Sequence, residues 1–238
     1  MKRHILIAAS ILALLTPAIF AHADTFGTYG DTTVVNGPTN TPVYQLTSNP
    51  ALQGYAGIYV EFSGPVTLAS LTQLSAQFEM TAGTISGGAP RFSIGDTTNN
   101  ASNEAYIYFG TSAGGGSFSD PAPGTYENTG NDASLLSTQI NVQNNGFGGG
   151  STGASYETFS QFVAQEGTVD IGFITVDVDG GFTSTQTADI GNFDINGTLY
   201  NPPATSGAAP EPGSLVLLGT GILGLATATR RRLFQARS

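Results

Sequence analysis

The sequence has no cysteine and no tryptophan, and its histidines and lysine are confined to one end. His4, His22 and the single lysine, Lys2, all lie within the first 23 residues. The rest of the chain therefore has no imidazole, thiol or primary amine side chain. This excludes from it a Ser-His-Asp or Cys-His nucleophilic site, a lysine Schiff base, and a zinc, copper or haem site with His or Cys ligands.

Residues 1–23 have the three parts of a secretory signal peptide. Lys2 and Arg3 make a positive start, residues 5–20 are largely apolar, and Ala21-His22-Ala23 is a small-residue cleavage site. We expect export through the Sec translocon and cleavage by signal peptidase before Asp24. The exported part has no disulfide, so its stability has to come from burial of apolar surface.

Basic residues are scarce between residues 24 and 209. Arg91 is the single base there against sixteen acidic residues, which gives a formal charge of −15. Such a region repels nucleic acid and is suited to neutral or cationic partners.

Apolar and polar residues alternate in short segments between residues 24 and 200. The alternation is regular over residues 58–62 and 73–80, and shorter examples occur near residues 92, 107, 140, 174 and 193. A period of two with one apolar face indicates half-buried antiparallel strands. Eight or more such strands, separated by turns rich in glycine and asparagine, predict an all-β fold, an antiparallel β-sandwich that is jelly-roll-like.

Two features interrupt this strand pattern. The spacing of Phe159, Phe162 and Val163 predicts one short helix over residues 156–166. The glycine-rich stretches 111–124 and 144–153 have no periodicity and are predicted to be loops.

The last predicted strands are rich in Asp and Asn, over residues 167–181 and 188–196. They resemble the last strands of jelly-roll carbohydrate-binding modules. The resemblance implies a non-catalytic domain that binds polysaccharide, and it identifies no binding residue.

One tyrosine pair is a candidate ligand contact. Tyr106 and Tyr108 alternate with Ile107 and Phe109, so two phenol rings should project side by side from the outer face of a strand. Paired exposed rings stack on sugar rings or on other flat apolar surfaces. The alternative is that a loop buries them.

Asp177 and Asp179 are candidate metal ligands. They lie among five acids near the last strands: Asp170, Asp177, Asp179, Asp189 and Asp194. Oxygen ligands suit Ca²⁺, so a structural calcium is the one cofactor considered, although the spacing is not that of an EF-hand. The alternative is that these acids are solvated strand ends and turns, with no cofactor.

The composition changes after Tyr200. Residues 201–209 have no charge and read as a flexible linker. Three segments then follow in order. The first is a short polar motif, Pro210, Glu211 and Pro212; the second is an uncharged apolar segment, residues 214–229; the third is a basic cluster, Arg230, Arg231 and Arg232. This is a stop-transfer pattern. A helix over the apolar segment is ~24 Å long, slightly short of a hydrocarbon core of ~30 Å.

The order of these three parts resembles the PEP-CTERM sorting signal of bacterial envelope proteins. The resemblance implies that a membrane-embedded exosortase recognises Pro210-Glu211-Pro212 and cuts nearby. The C-terminal hydrophobic helix would then hold the protein in the inner membrane only transiently, before its transfer to the cell surface or the extracellular space.

The sequence therefore predicts an exosortase-sorted protein of the cell surface or extracellular matrix, whose β-sandwich is not an enzyme and binds exopolysaccharide. One alternative is a secreted glycoside hydrolase that uses two carboxylates. Another is a purely structural matrix protein. A third is an ice-binding protein, because this type of tail is associated with such proteins; it would need a flat threonine array, and Thr183, Thr185 and Thr187 alternate only briefly.

Overall fold

The computed structural model describes residues 24–49, 51, 54–85, 89–98, 103–110, 118–130, 141–150, 152–180 and 184–203. The predicted signal peptide, the sorting motif at residues 210–212, the apolar segment 214–229 and the basic cluster 230–232 lie outside these residues. The chain divides into two units, Met1–Pro202 and Pro203–Ser238. Within the described part of the chain, no helix is long and apolar enough to cross a membrane.

The described residues form thirteen strands and one α-helix. The strands are β1 (Thr25–Tyr29), β2 (Asp31–Asn36), β3 (Pro42–Thr47), β4 (Ala56–Glu61), β5 (Leu74–Ala82), β6 (Arg91–Asp96), β7 (Glu104–Tyr108), β8 (Glu127–Asn128), β9 (Asn141–Asn145), β10 (Thr152–Thr158), β11 (Ile171–Val178), β12 (Thr187–Ile195) and β13 (Thr198–Tyr200). The helix is α1 (Phe159–Glu166), and two short 3₁₀ turns cover Leu68–Ser70 and Phe147–Gly149.

The strands pair into two antiparallel sheets. The 7-stranded sheet has the order β1-β4-β11-β6-β7-β9-β10. The 6-stranded sheet has the order β2-β3-β12-β5-β8, and β13 pairs with β12 beside this path. The apolar faces of both sheets join in one core, in which the rings of Phe92 and Phe193 stack across the sheets at 6.2 Å. The predicted antiparallel β-sandwich is confirmed.

Phenylalanine fills much of this core. Among the described residues, seven phenylalanine side chains are almost fully buried: Phe78, Phe92, Phe109, Phe147, Phe159, Phe162 and Phe193. Burial of one such side chain contributes about 1.5–3 kcal/mol. Apolar burial of this kind stabilises the cysteine-free sandwich, as the composition predicted.

The helix begins later than predicted. Tyr156 and Glu157 belong to β10, where they pair with β9. Thr158 ends the strand and caps α1, because its side chain accepts a hydrogen bond from the Gln161 N–H while the Gln161 side chain bonds back to Thr158. This capping box satisfies backbone groups that a helix start leaves unpaired. Phe159 and Phe162 are buried, on the face that the spacing indicated.

The predicted loop over residues 144–153 is wrong. The segment contains the end of β9, the 3₁₀ turn Phe147–Gly149 and the start of β10. Phe147 anchors it, since its ring is buried and meets Phe162 edge-on at 5.2 Å. Gly146 and Gly148 have φ of 87° and 66°, so the tight turn uses glycine for its backbone conformation, not for mobility.

Only the end of the other predicted loop, 111–124, is described. Phe118 begins this part and pairs with Gly110. Its ring packs edge-on against Phe78 at 5.9 Å and against Phe109 at 6.5 Å. This end of the predicted loop is therefore fixed to the core.

Candidate functional site

The outer face of the 7-stranded sheet carries a cavity of about 630 Å³. Five neighbouring strands, β1, β4, β11, β6 and β7, supply most of its lining, and the turn before β4 supplies the rest. The lining residues are Tyr29, Gly54, Tyr55, Tyr59, Glu61, Arg91, Ser93, Glu104, Tyr106, Phe173, Thr175 and Asp177. Because side chains alternate along a strand, the neighbours of these residues point into the core.

Strand register arranges the residues on this face of the sheet in rows. One row runs through Tyr29, Gly57, Asp177, Arg91 and Tyr108. The next row runs through Gly27, Tyr59, Thr175, Ser93 and Tyr106. In both rows two tyrosines flank a pair of polar side chains, Asp177 with Arg91 in the first row and Thr175 with Ser93 in the second.

Two glycines make room for tyrosine rings on this floor. A Cβ atom on Gly57 would lie 2.5 Å from the Tyr29 hydroxyl, and one on Gly27 would lie 2.5 Å from the Tyr59 hydroxyl. The two rings therefore extend over the glycine of the paired strand, with centroids 6.3 Å apart. Any larger residue at either glycine would displace a ring that lines the cavity.

Arg91 is the centre of the polar part of the floor. Its Nε lies 2.8 Å from Asp177 Oδ1, an ion pair whose angle falls outside hydrogen-bond geometry. Its Nη1 donates to Asp179 Oδ2 at 3.2 Å. The Tyr106 ring covers the guanidinium, with Cζ 4.4 Å from the ring centroid, and Tyr55 lies farther away at 6.0 Å. Both carboxylates and the Tyr106 ring therefore hold this cation in place.

Asp177 is held from its other side by hydroxyl groups. Its Oδ2 accepts hydrogen bonds from Ser93 at 2.9 Å, Thr175 at 3.0 Å and Tyr29 at 3.2 Å. The residue is only 4% exposed. Buried charges persist in proteins when they are paired and hydrogen-bonded, and this carboxylate meets both conditions.

The structure separates the roles of the two candidate tyrosines. Tyr106 and Tyr108 both face away from the core, with ring centroids 6.1 Å apart, as the alternation predicted. Tyr108 is only 9% exposed, and its hydroxyl donates to Gln143 Oε1 at 2.6 Å. Tyr106 lines the cavity and Tyr108 does not. The expectation of two exposed rings is therefore corrected to one accessible ring beside a buried one.

The candidate calcium ligands face a guanidinium group. Asp177 and Asp179 both contact Arg91. The positive charge next to these two carboxylates is therefore the guanidinium group of Arg91. Asp189 and Asp194 lie on β12 of the other sheet, where they accept hydrogen bonds from Gln45 and Gln73. Among the residues that the structure describes, no three His, Cys, Asp or Glu side chains are grouped to hold a metal ion.

Burial and neighbouring charges shift several pKa values in the cavity. Burial alone would lower the pKa of Arg91, but Asp177 and Asp179 outweigh it and raise that pKa. Burial, followed by the charge of Glu104, raises the pKa of Tyr106 to about 12. Burial and the charge of Asp177 raise the pKa of Glu104. At neutral pH the cavity therefore has a charged Arg91 beside a neutral Tyr106.

Sequence reasoning missed several cavity residues. Arg91 was noted only as the single base of the exported region, and Tyr29, Tyr55 and Glu104 were not singled out. One signal was available for Arg91, because a lone cation among sixteen acids is expected to attract carboxylate partners. No local pattern could have linked Tyr29 to Asp177, which lie 148 positions apart.

Comparison with known proteins identifies a sorting motif near the C-terminus. Residues 208–232 match the family model described as the PEP-CTERM protein-sorting motif. This match includes Pro210, Glu211, Pro212 and the three arginines of the predicted signal. A search of curated protein sequences found no match.

Two solved structures are distantly similar to the chain. One is an exo-beta-agarase, with a TM-score of 0.37 and 12% identity; the match covers 78% of this chain and 24% of the agarase. The other is the xyloglucanase domain of NopAA, a type three effector from Sinorhizobium fredii, with a TM-score of 0.36 and 15% identity; the match covers 74% of this chain and 97% of that domain. The chain thus spans about a quarter of the agarase, and this likeness says nothing about its ligand or reaction.

Proposed function

We propose that this chain, which carries a PEP-CTERM sorting motif, acts at the cell surface or in the extracellular matrix by binding polysaccharide without cleaving it. The motif implies export and processing by an exosortase, with passage through the inner membrane before cleavage. The sandwich domain then acts outside the cell through the cavity of its 7-stranded sheet.

The observation that carries the proposal is the set of four tyrosines around a fixed polar floor. Tyr29, Tyr55, Tyr59 and Tyr106 line a cavity of about 630 Å³, a size typical of small-ligand sites. Tyr55 is 47% exposed, so it is available to an incoming ligand. Sugar rings present apolar faces for aromatic stacking and hydroxyls for hydrogen bonds, and this lining offers partners for both.

The positions of the carboxylates favour binding over cleavage. Glycoside hydrolases use two carboxyl groups ~5–9.5 Å apart on either side of the scissile bond. Glu61 and Glu104 lie on one row of the sheet and are separated by β11 and β6. Three strand spacings of ~4.8 Å put their backbones about 14 Å apart. The third carboxylate of the lining, Asp177, is already bound to Arg91 and three hydroxyl groups.

A glycan array probed with the mature protein tests the proposal. We expect retention on one or more surface polysaccharides, and loss of this retention in Tyr55→Ala and Tyr106→Ala. Tyr156→Ala is the matched control, because Tyr156 is 40% exposed but does not line the cavity. Absence of binding to any polysaccharide would count against the proposal. Release of shorter oligosaccharides that stops in Glu104→Gln would instead favour the hydrolase.

The sorting step has its own test. Alanine replacement of Pro210, Glu211 and Pro212 together should leave the C-terminal segment uncut, so that the protein accumulates in the membrane fraction at a higher mass. An unchanged mass and location would show that this motif does not direct processing.

A further inference from the structure

We infer that the cavity selects glycans that carry free amino groups, which are cationic, over neutral and acidic glycans. This inference rests on the proposed function and names its ligand class. It follows from the charges that line the cavity and from the way in which Arg91 is held.

Negative charge exceeds positive charge in the lining. Glu61, Glu104 and Asp177 line the cavity together with the single guanidinium of Arg91. Glu61 is exposed at the cavity and Glu104 is half-buried. A cavity lined mainly by charge of one sign concentrates ligands of the opposite sign.

Arg91 offers little to an acidic sugar. The residue is 8% exposed, its Nε and Nη1 face Asp177 and Asp179, and the Tyr106 ring covers the guanidinium. It is also the single basic residue between positions 24 and 209. Uronates and sulfated sugars would thus enter a negative cavity without gaining a new ion pair.

An ammonium group finds two kinds of partner in the same cavity. Tyrosine faces attract cations through the negative charge of the ring face, and carboxylates accept charge-assisted hydrogen bonds. Arg91 already has both contacts, because it lies between the Tyr106 ring and the Asp177 carboxylate. A carboxylate also lies two residues from a tyrosine on each side of the cavity: Glu61 and Tyr59 on β4, and Glu104 and Tyr106 on β7. A polymer laid across the strands could then place separate amino sugars at both carboxylates.

Calorimetric titration of the mature protein with three matched oligosaccharides tests the inference. The probes are glucosamine oligomers with free amines, the same oligomers fully N-acetylated, and oligogalacturonides. We expect the free-amine oligomer to bind at least about tenfold more tightly than the acetylated one, as for one added charged hydrogen bond. The oligogalacturonide should bind most weakly.

Variants locate the effect in the cavity. Glu61→Gln and Glu104→Gln should each weaken binding of the free-amine oligomer about tenfold and leave binding of the acetylated oligomer unchanged. Glu127→Gln removes the same charge from β8 of the other sheet and should change neither. Thermal unfolding of each variant checks that the fold is retained.

The outcomes separate the two levels of the argument. Equal binding of amine and acetylated oligomers, or tighter binding of the oligogalacturonide, overturns the amino-sugar preference and leaves polysaccharide binding intact. A loss that Glu127→Gln shares also overturns it, because the overall negative charge would then be responsible. Failure to bind any glycan, on the array and in titration, overturns the proposed function itself.

Discussion

Replacing Arg91 by methionine tests whether a buried ion pair holds the floor of the cavity. Arg91 and Asp177 are 8% and 4% exposed, and their side chains meet at 2.8 Å. Removing one member of a buried pair leaves an uncompensated charge, at a cost of ~3–5 kcal/mol. Three hydroxyl groups still bond to Asp177 in the variant, so we expect the lower end, about 3 kcal/mol. The ion pair with the more exposed Asp179 adds little.

Urea unfolding of the mature protein measures this cost. We expect a lower transition midpoint with an unchanged denaturant slope, since the variant should expose the same surface on unfolding. The melting temperature should fall by about 6–12 °C, because 1 kcal/mol corresponds to ~2–4 °C in a domain of this size.

The double variant Arg91→Met, Asp177→Asn is the control. It removes both charges and leaves an amide oxygen that still accepts hydroxyl hydrogen bonds, so most of the lost stability should return. The double-mutant cycle then gives the coupling energy of the pair. An Arg91→Met protein within about 0.5 kcal/mol of the unaltered one would refute the reasoning, because surface substitutions alone have effects of that size. A double variant no more stable than Arg91→Met would refute it equally.

Three further predictions concern separate parts of the sandwich. Gly57→Ala should displace the Tyr29 ring and cost about 1–3 kcal/mol in urea unfolding; an unaffected midpoint would contradict the close approach. Burial, aided by the charge of Glu79, raises the pKa of Asp189 in the folded protein. The stability that the protonated carboxyl contributes is therefore present at low pH and is lost as pH rises through the folded-state pKa. The urea midpoint of Asp189→Asn should therefore equal that of the unaltered protein near pH 3 and be higher at pH 8. A lower midpoint for the variant at pH 8 would contradict this. Thr158→Ala removes the cap of α1 and should lower the free energy of unfolding in urea by about 0.5–2 kcal/mol. An unchanged free energy would mean that the cap does not stabilise the fold.

Periodicity alone was enough to predict several strands. The alternation over residues 58–62 and 73–80 corresponds to β4 and β5, because burial of one face of a strand imposes a period of two on its sequence. The same reasoning failed for Glu79, which is only 6% exposed on the face predicted to be polar. A segment from another part of the chain covers it there, and the Gly124 N–H donates to its carboxylate. Such a covering depends on the path of the chain and leaves no local signal.

The helix boundary was misplaced for a related reason. Tyr156 fits a helical continuation, but backbone pairing with Gln143 keeps it in β10. Hydrogen bonding to the neighbouring strand keeps the chain extended up to Thr158, and the helix begins only where the Thr158 capping box pairs the first free N–H groups.

The amino-acid sequence by itself determined which chemistry is available to this protein. It excludes imidazole, thiol and primary amine groups from the region between residues 24 and 209, gives that region its negative charge, and contains the sorting motif near its end. Only the tertiary structure decided that Tyr29, Arg91, Tyr106 and Asp177 share one cavity. The order β1-β4-β11-β6-β7 brings these residues together, and that order depends on pairing between distant segments, which local alternation of polar and apolar residues does not encode.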